Sequence, residues 1–299
     1  MYVLAGHSGS GCQSAHYRIK ATGSSWEGRT GYPRVIHRHS AVVDQVKERI
    51  YVFGGHDCSY SRAEAYYYSP SSNQWHQISN LPWAAHDIAA AIVTQKNEER
   101  WLLVARSGHS DMYYWNLNTE SGYHYMGGGT LRHGDRMAMI ALTPYTAFMV
   151  GGYTTNDNRK NINYWVYNPE RTRFEKPLRF LQHRQNWNYW TRVGRGYKAL
   201  ANCEAERTFA AVGWGGTNQH TEWSVMLRLR WQSNTDTRKP ATCHRAIPDL
   251  SPARWYLAIT ALNYRLMVCG GVSQAGTHSD CKWLDTNSRE PVWQDMDVS

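Results

Sequence analysis

The fold this sequence predicts is all-β, a β-propeller of six four-stranded antiparallel blades. Three observations carry that prediction. The stretch from Ile50 to Trp75 reads as strand, double glycine, polar loop, strand, turn and tryptophan. The same order of features is found in five further places along the 299 residues. The spacing is regular: Gly6 to Gly271 covers 265 residues in five steps, a mean near 53. A period near 50 with four short strands per repeat marks propeller blades.

Within the best copy, Ile50-Tyr51-Val52-Phe53 is an apolar strand ending in Gly54-Gly55, and a polar loop runs from His56 to Arg62. A second strand covers Ala65 to Tyr68. Ser69-Pro70-Ser71-Ser72-Asn73 is turn chemistry, and Trp75 opens the next strand. Alternation along strands puts Tyr68 and Trp75 on one sheet face across that hairpin. The glycines permit a bend or a close approach that a β-carbon would block. Corresponding units run from Ala147 through Gly151-Gly152 to Tyr167 and Phe174, and from Leu266 through Gly270-Gly271 to Trp283 and Trp293. Another runs from Val3 through Gly6 to Trp26. Two copies are degraded. Trp101 to Arg106 has lost both glycines, and after Phe209 to Val212 either Gly213 or Gly215-Gly216 is the equivalent.

Before each such unit lies a polar residue followed by small apolar ones. Examples are His86 ahead of Ala89-Ala90-Ala91, Arg136 ahead of Met137-Ala138, and Arg254-Trp255 ahead of Ala258. Small side chains suit innermost strands, where blades crowd near the axis. Arg38, His86, Arg136, Arg195 and Arg254 are then expected at the channel mouth, either bonding loop carbonyls or facing a partner as forked donors for carboxylates. Read in register, the chain holds 23 strands where six blades of four need 24. The missing one is the inner, ring-closing strand of blade one, so a longer chain or a partner strand is expected.

These glycine doublets and aromatic pairs resemble the kelch-repeat family, and the resemblance extends over essentially the whole chain as one propeller domain, residues 1–299. It implies a six-bladed kelch-type propeller whose post-glycine loops form a partner-binding face, and recognition residues concentrate on such loops. The residues that face offers are His56, Tyr60 and Arg62, Asp111, Asn156 and Arg159, together with the channel-mouth set and Trp255. A segment from Phe180 to Gly196, with Trp187, Tyr189 and Trp190, serves either as an aromatic anchor or as a blade-edge cover. The resemblance further implies a non-catalytic protein-interaction module. Its models are the substrate-recognition half of BTB–Kelch ubiquitin-ligase adaptors and actin-binding, cytoskeletal kelch proteins such as the bundler scruin.

Charge and composition bound the alternatives. The net charge is +9 with pI about 9.2 and no basic run, a spread field that favours acidic partners such as actin. No nucleic-acid motif accompanies it, and nucleic acid is not expected. No apolar run reaches the roughly 20 residues of a membrane span, and the residues after Met1 do not read as a signal peptide. Six cysteines show neither CxxC pairing nor even spacing. Cys269 reads as a small hydrophobe in a strand. Cys12 and Cys58 fall in corresponding loops of neighbouring blades, which neither requires nor forbids a disulfide. A reducing, cytoplasmic setting is the expectation.

Fourteen histidines invite a metal reading, but no zinc spacing is present, and the charge of Arg38 between His37 and His39 opposes a cation. No nucleophile elbow or phosphate loop appears. Neither catalytic residues nor a cofactor are therefore expected. The alternative is a galactose-oxidase-like copper radical oxidase, which needs two tyrosines, two histidines and a tyrosine–cysteine cross-link that no positions here can be matched to.

Overall fold

The structure, a computed structural model, describes residues 1–20, 25–106, 109–127, 135–141, 144–145, 147–153, 164–168, 172–175, 192–196, 208–215, 221–230, 241–246, 250–252, 257–262, 265–273, 275–285, 288 and 290–296. Among the described residues the regular elements are strands, in six successive antiparallel sheets and one small two-stranded hairpin. Sheet one contains β1 (Tyr2–Ser8), β2 (Gly11–Arg18) and β3 (Glu27–Gly28). Sheet two contains β4 (Ser40–Asp44), β5 (Arg49–Phe53), β6 (Ala65–Ser69) and β7 (Gln74–Ile78). Sheet three contains β8 (Ala89–Thr94), β9 (Arg100–Ala105), β10 (Met112–Asn116) and β11 (Tyr123–Gly127). In sheet four are β12 (Asp135–Ala141), β13 (Ala147–Tyr153), β14 (Tyr164–Asn168) and β15 (Arg173–Glu175). In sheet five are β16 (Arg192–Gly196), β17 (Thr208–Gly215), β18 (Thr221–Arg230) and β19 (Ala241–Ala246). Sheet six starts with β20 (Ala258–Leu262) and β21 (Arg265–Cys269), is interrupted by the hairpin β22 (Val272–Ser273) and β23 (Gly276–Thr277), and resumes with β24 (Cys281–Asp285) and β25 (Trp293–Asp295).

Each sheet is a meander, and the first strands β4, β8, β12, β16 and β20 lie beside one another in that order. Sheet one has three strands. Its β1 carries Val3-Leu4-Ala5-Gly6 and so holds the second position of a blade; among the described residues no strand pairs with its inner edge. Among the described residues no helix is long and apolar enough to cross a membrane.

The apolar strands read as unbroken runs because both of their faces are buried. On β5, Ile50 and Val52 pack toward blade one with Tyr2, Leu4 and Ile36, while Tyr51 and Phe53 pack toward blade three with Leu102 and Val104. On β9 the partition repeats: Leu103 and Ala105 join Met139, Met149 and Tyr167 of blade four. Each such fully buried large side chain contributes about 1.5–3 kcal/mol. Small residues hold the inner strand β8, where Ala89, Ala90 and Ala91 are all buried.

The aromatic pairs stand opposite each other. Tyr68 faces Trp75 with ring centroids 5.1 Å apart, and Tyr167 faces Phe174 at 5.4 Å. In blade three Trp115 and Tyr123 take those places, and in blade six Leu284 lies opposite Trp293. Polar bonds then tie neighbouring blades. Trp75 Nε1 donates to Thr30 O at 2.9 Å, and Arg29 Nε donates to the Tyr68 hydroxyl at 3.1 Å. Asp44, almost fully buried, is forked by the Arg100 guanidinium, with Nη2 to Oδ2 at 2.8 Å.

Three sequence expectations change. The polar loop after Gly270-Gly271 contains the β22–β23 hairpin. Strand β17 runs on through Gly213 and Gly215, paired with β18 throughout, so the chain does not bend at Gly213, and Gly216 lies outside the described residues. The inner strand of blade five begins upstream of Arg195, which sits within β16 opposite Phe209 instead of opening the strand.

Candidate functional site

Between blades one and two, the described part of the post-glycine face is built from three chain segments: the β1–β2 hairpin, the residues leading into β4, and the loop from His56 to Arg62. Backbone bonds fasten them side by side. Gly6 N donates to Ile36 O at 2.8 Å and Ile36 N to Gln13 O at 3.0 Å. His37 and His56 exchange N–H···O bonds of 2.9 and 2.8 Å. The doublet makes this closeness feasible. Gly54 and Gly55 have φ of +63° and +101°, and a β-carbon on Gly55 would lie 3.0 Å from His37 O and His39 Cβ.

The 56–62 loop has its own internal order. Asp57 Oδ1 accepts the backbone N–H groups of Ser59 and Tyr60 at 3.0 and 2.7 Å, while Oδ2 takes Arg62 Nε at 2.7 Å. These contacts, the Tyr60 N–H first and Arg62 next, hold the Asp57 carboxyl well below its usual range. The turn presents Tyr60, which is 71% exposed. Cys58 is joined to Cys12 by a disulfide, with Cα atoms 5.9 Å apart, and this ties the loop to blade one. The second described disulfide joins Cys269 to Cys281 directly across β21 and β24. Cys269 is therefore a bonded half-cystine and not only the small apolar residue that its strand suggested.

Four imidazoles line this face in sequence. His7 and His37 have ring centroids 5.3 Å apart, His37 and His56 5.4 Å, and His56 and His86 5.7 Å. His37 Nε2 and His56 Nδ1 are 3.4 Å apart, and His56 Nδ1 also accepts the Cys58 N–H at 3.1 Å. Burial first, then the neighbouring His56, His7 and Arg38 charges, push the His37 pKa down to about 4. His37 is thus neutral near pH 7. His86 Nδ1 lies 2.9 Å from Ser61 Oγ.

The channel-mouth arginine of blade two is engaged elsewhere. Arg38 grips Asp87 with Nε at 3.2 and 3.1 Å from the two carboxylate oxygens, and Nη2 on the same group. Asp87 N also donates to Arg38 O at 2.9 Å. Each residue lies two positions before its inner strand with φ +55°, so Arg38 corresponds to Asp87, and His37 to His86. The sequence alignment of Arg38 with His86 was one residue off. Arg38 staples blade two to blade three, a structural use of its charge.

The other expected residues divide as follows. Asp111 stands immediately before β10. Arg136 is the second residue of β12, and Arg195 lies inside β16. Asn156, Arg159, Arg254 and Trp255 lie outside the described residues, as does most of the 180–196 segment. The structure thus brings together His56, Tyr60, Arg62 and His86. It adds His7, Cys12, Asp57 and Cys58, whose only signal in the sequence is their place in equivalent loops, and His37, whose only signal is its place beside Arg38.

Six successive antiparallel sheets, with left-handed glycine doublets after the second strands of blades two and six and Ala5-Gly6 in the same place in blade one, define a kelch-type β-propeller. Residues 37–82, the whole of blade two with its flanking loops, match the Kelch motif. No curated protein sequence matches the chain. Among solved structures, that of YjhT superposes with a TM-score of 0.62 at 12% identity, over 98% of this chain and 93% of that one. At that identity the likeness concerns the fold alone.

Proposed function

We propose that this propeller is a non-catalytic protein-binding platform that engages an acidic partner through the post-glycine face of blades one to three. The carrying observation is Tyr60, a large exposed aromatic on a loop immobilised by Asp57, Arg62 and the Cys12–Cys58 bond. Aromatic anchors on preorganised loops lose little entropy on binding and dominate interface energetics. The net charge of +9 adds long-range attraction for acidic surfaces. Actin-like filaments and acidic substrates of ubiquitin-ligase adaptors belong to that class. The two described disulfides favour an oxidising compartment over the cytoplasm, which widens the class to acidic proteins outside the cell. For the oxidase alternative, the four described half-cystines are bonded to each other, so none of them is free for a tyrosine cross-link.

Co-sedimentation with filamentous actin, an acidic probe, tests the reading. The expected result is pelleting that weakens with salt and falls at least tenfold in affinity for Tyr60→Ala. Absence of pelleting at low ionic strength removes actin from the class. Pelleting unchanged by Tyr60→Ala removes this face.

A further inference from the structure

Cys12, His37 and Cys58 place one potential ligand atom each, two sulfurs and an imidazole nitrogen, within 4.8 Å of one another. They come from three different segments: the start of β2, the approach to β4 and the loop after Gly55. Backbone hydrogen bonds that do not involve the sulfurs also join those segments, Ile36 to Gln13 and His37 to His56. We propose that this cluster is a redox-gated site for a thiophilic divalent cation of the zinc class. With the sulfurs joined the site is closed; with the sulfurs reduced it is a Cys2His set.

The chemistry balances with a dithiol as reductant. One thiolate of the dithiol attacks a sulfur of the Cys12–Cys58 bond, and the mixed disulfide is resolved by its second thiol. Two electrons and two protons pass to the protein, giving two thiols, and the reductant leaves as a cyclic disulfide. Cys58 is exposed and open to that attack. A cation then displaces both thiol protons and takes two thiolates and the neutral His37 imidazole. Two sulfur ligands and one nitrogen leave a fourth tetrahedral position for water or a further donor. His56, whose Nδ1 is 3.4 Å from His37 Nε2, lies at its margin. The sequence objection to a cation here was the charge of Arg38. That charge is neutralised by the almost fully buried Asp87 carboxylate. A bound ion would link blade one to blade two as the disulfide does, so the loop carrying Tyr60 stays anchored in either state.

The test uses the full chain and Co2+ as a spectroscopic probe. Chain reduced with a phosphine and freed of excess reductant is titrated under nitrogen. The expected result is one equivalent bound with thiolate-to-cobalt charge-transfer absorption, absent from the oxidised chain. Cys12→Ser with Cys58→Ser should abolish the signal, His37→Ala should weaken binding at least tenfold, and Cys269→Ser with Cys281→Ser should retain it. An equal signal in the oxidised chain, or in the Cys12/Cys58 variant, overturns the proposal, as does no signal in reduced wild type. A second measurement needs no variant: Zn2+ should protect Cys12 and Cys58, and not Cys269 and Cys281, from alkylation in the reduced wild-type chain. Unprotected Cys12 and Cys58 equally overturn it. Neither readout depends on partner binding, so the platform and the cation site can fail separately.

Discussion

Replacing Gly54 with alanine separates two costs that a propeller's glycine doublet combines. Gly54 and Gly270 are the first glycines of the doublets in blades two and six, and their φ values nearly coincide at +63° and +67°. Alanine in that region costs about 1–2 kcal/mol, offset by about 0.4–1 kcal/mol through the stiffer unfolded chain. Gly270→Ala should therefore lose about 1 kcal/mol, because among the described residues its new β-carbon meets only His278 O, at an ordinary 3.6 Å. At Gly54 the β-carbon would lie 2.4 Å from Ile88 Cδ1 and 2.7 Å from Ala85 O. Ile88 is buried, and Ala85 O already accepts the Gly55 N–H at 2.8 Å, so neither can yield without breaking the seam between blades. Overpacking of that kind adds about 1–3 kcal/mol, for a total near 3 kcal/mol. Urea unfolding followed by tryptophan fluorescence reads the difference as a lower midpoint at unchanged slope. Losses for the two variants within about 0.5 kcal/mol of each other would refute the close-approach account. Blade one offers a natural control: Ala5, with φ +52°, already occupies the equivalent place.

Other outcomes follow from the polar contacts. Arg100→Met strands the buried Asp44 carboxylate and should cost about 3 kcal/mol in the same unfolding assay, near the low end because Val46 N and Lys47 N still donate to it. Desolvation is the largest single influence on Asp44 and raises its pKa, but the Arg100 bond and charge together with the Lys47 and Val46 N–H bonds outweigh it, so the pKa is lowered in the fold. The stability it supplies is present above the unfolded carboxylate pKa near 4 and is lost as pH falls through the lower folded value. His16, buried against Tyr68 with its Nδ1 on Thr30 O, has its pKa lowered by burial first and by Arg29. It stabilises the fold above its unfolded pKa near 6.5 and ceases to as pH drops through the depressed value. His16→Phe should therefore lose less stability than wild type between pH 7 and pH 5, and an unchanged loss would contradict that assignment. Removing the Cys12–Cys58 bond by double alanine substitution frees a 46-residue separation, worth about 4 kcal/mol on the chain-entropy relation. Removing Cys269–Cys281, with a separation of 12, should cost about 3 kcal/mol, and a reversed order in urea midpoints would count against loop length as the cause.

Blade architecture was legible from the linear order of residues because its determinants are local. Alternating side chains, a turn of Ser, Pro and Asn, and a tryptophan seven positions beyond Tyr68 define one hairpin with its aromatic pair. Six copies of a unit buried on both faces leave little freedom but to stack side by side. Which charges remain for a partner was decided by contacts between units. Arg38 and Asp87 are 49 residues apart in the chain, and Cys12 and Cys58 46 apart. Whether such side chains meet depends on how one blade is set against the next, and a one-residue offset exchanges Asp87 for His86. Only the packed blades convert an expected mouth arginine into an interblade staple and bring two cysteines and a histidine from three segments together. Strand period is a property of neighbours in sequence, whereas ion pairing, disulfide pairing and ligand geometry are properties of neighbours in space.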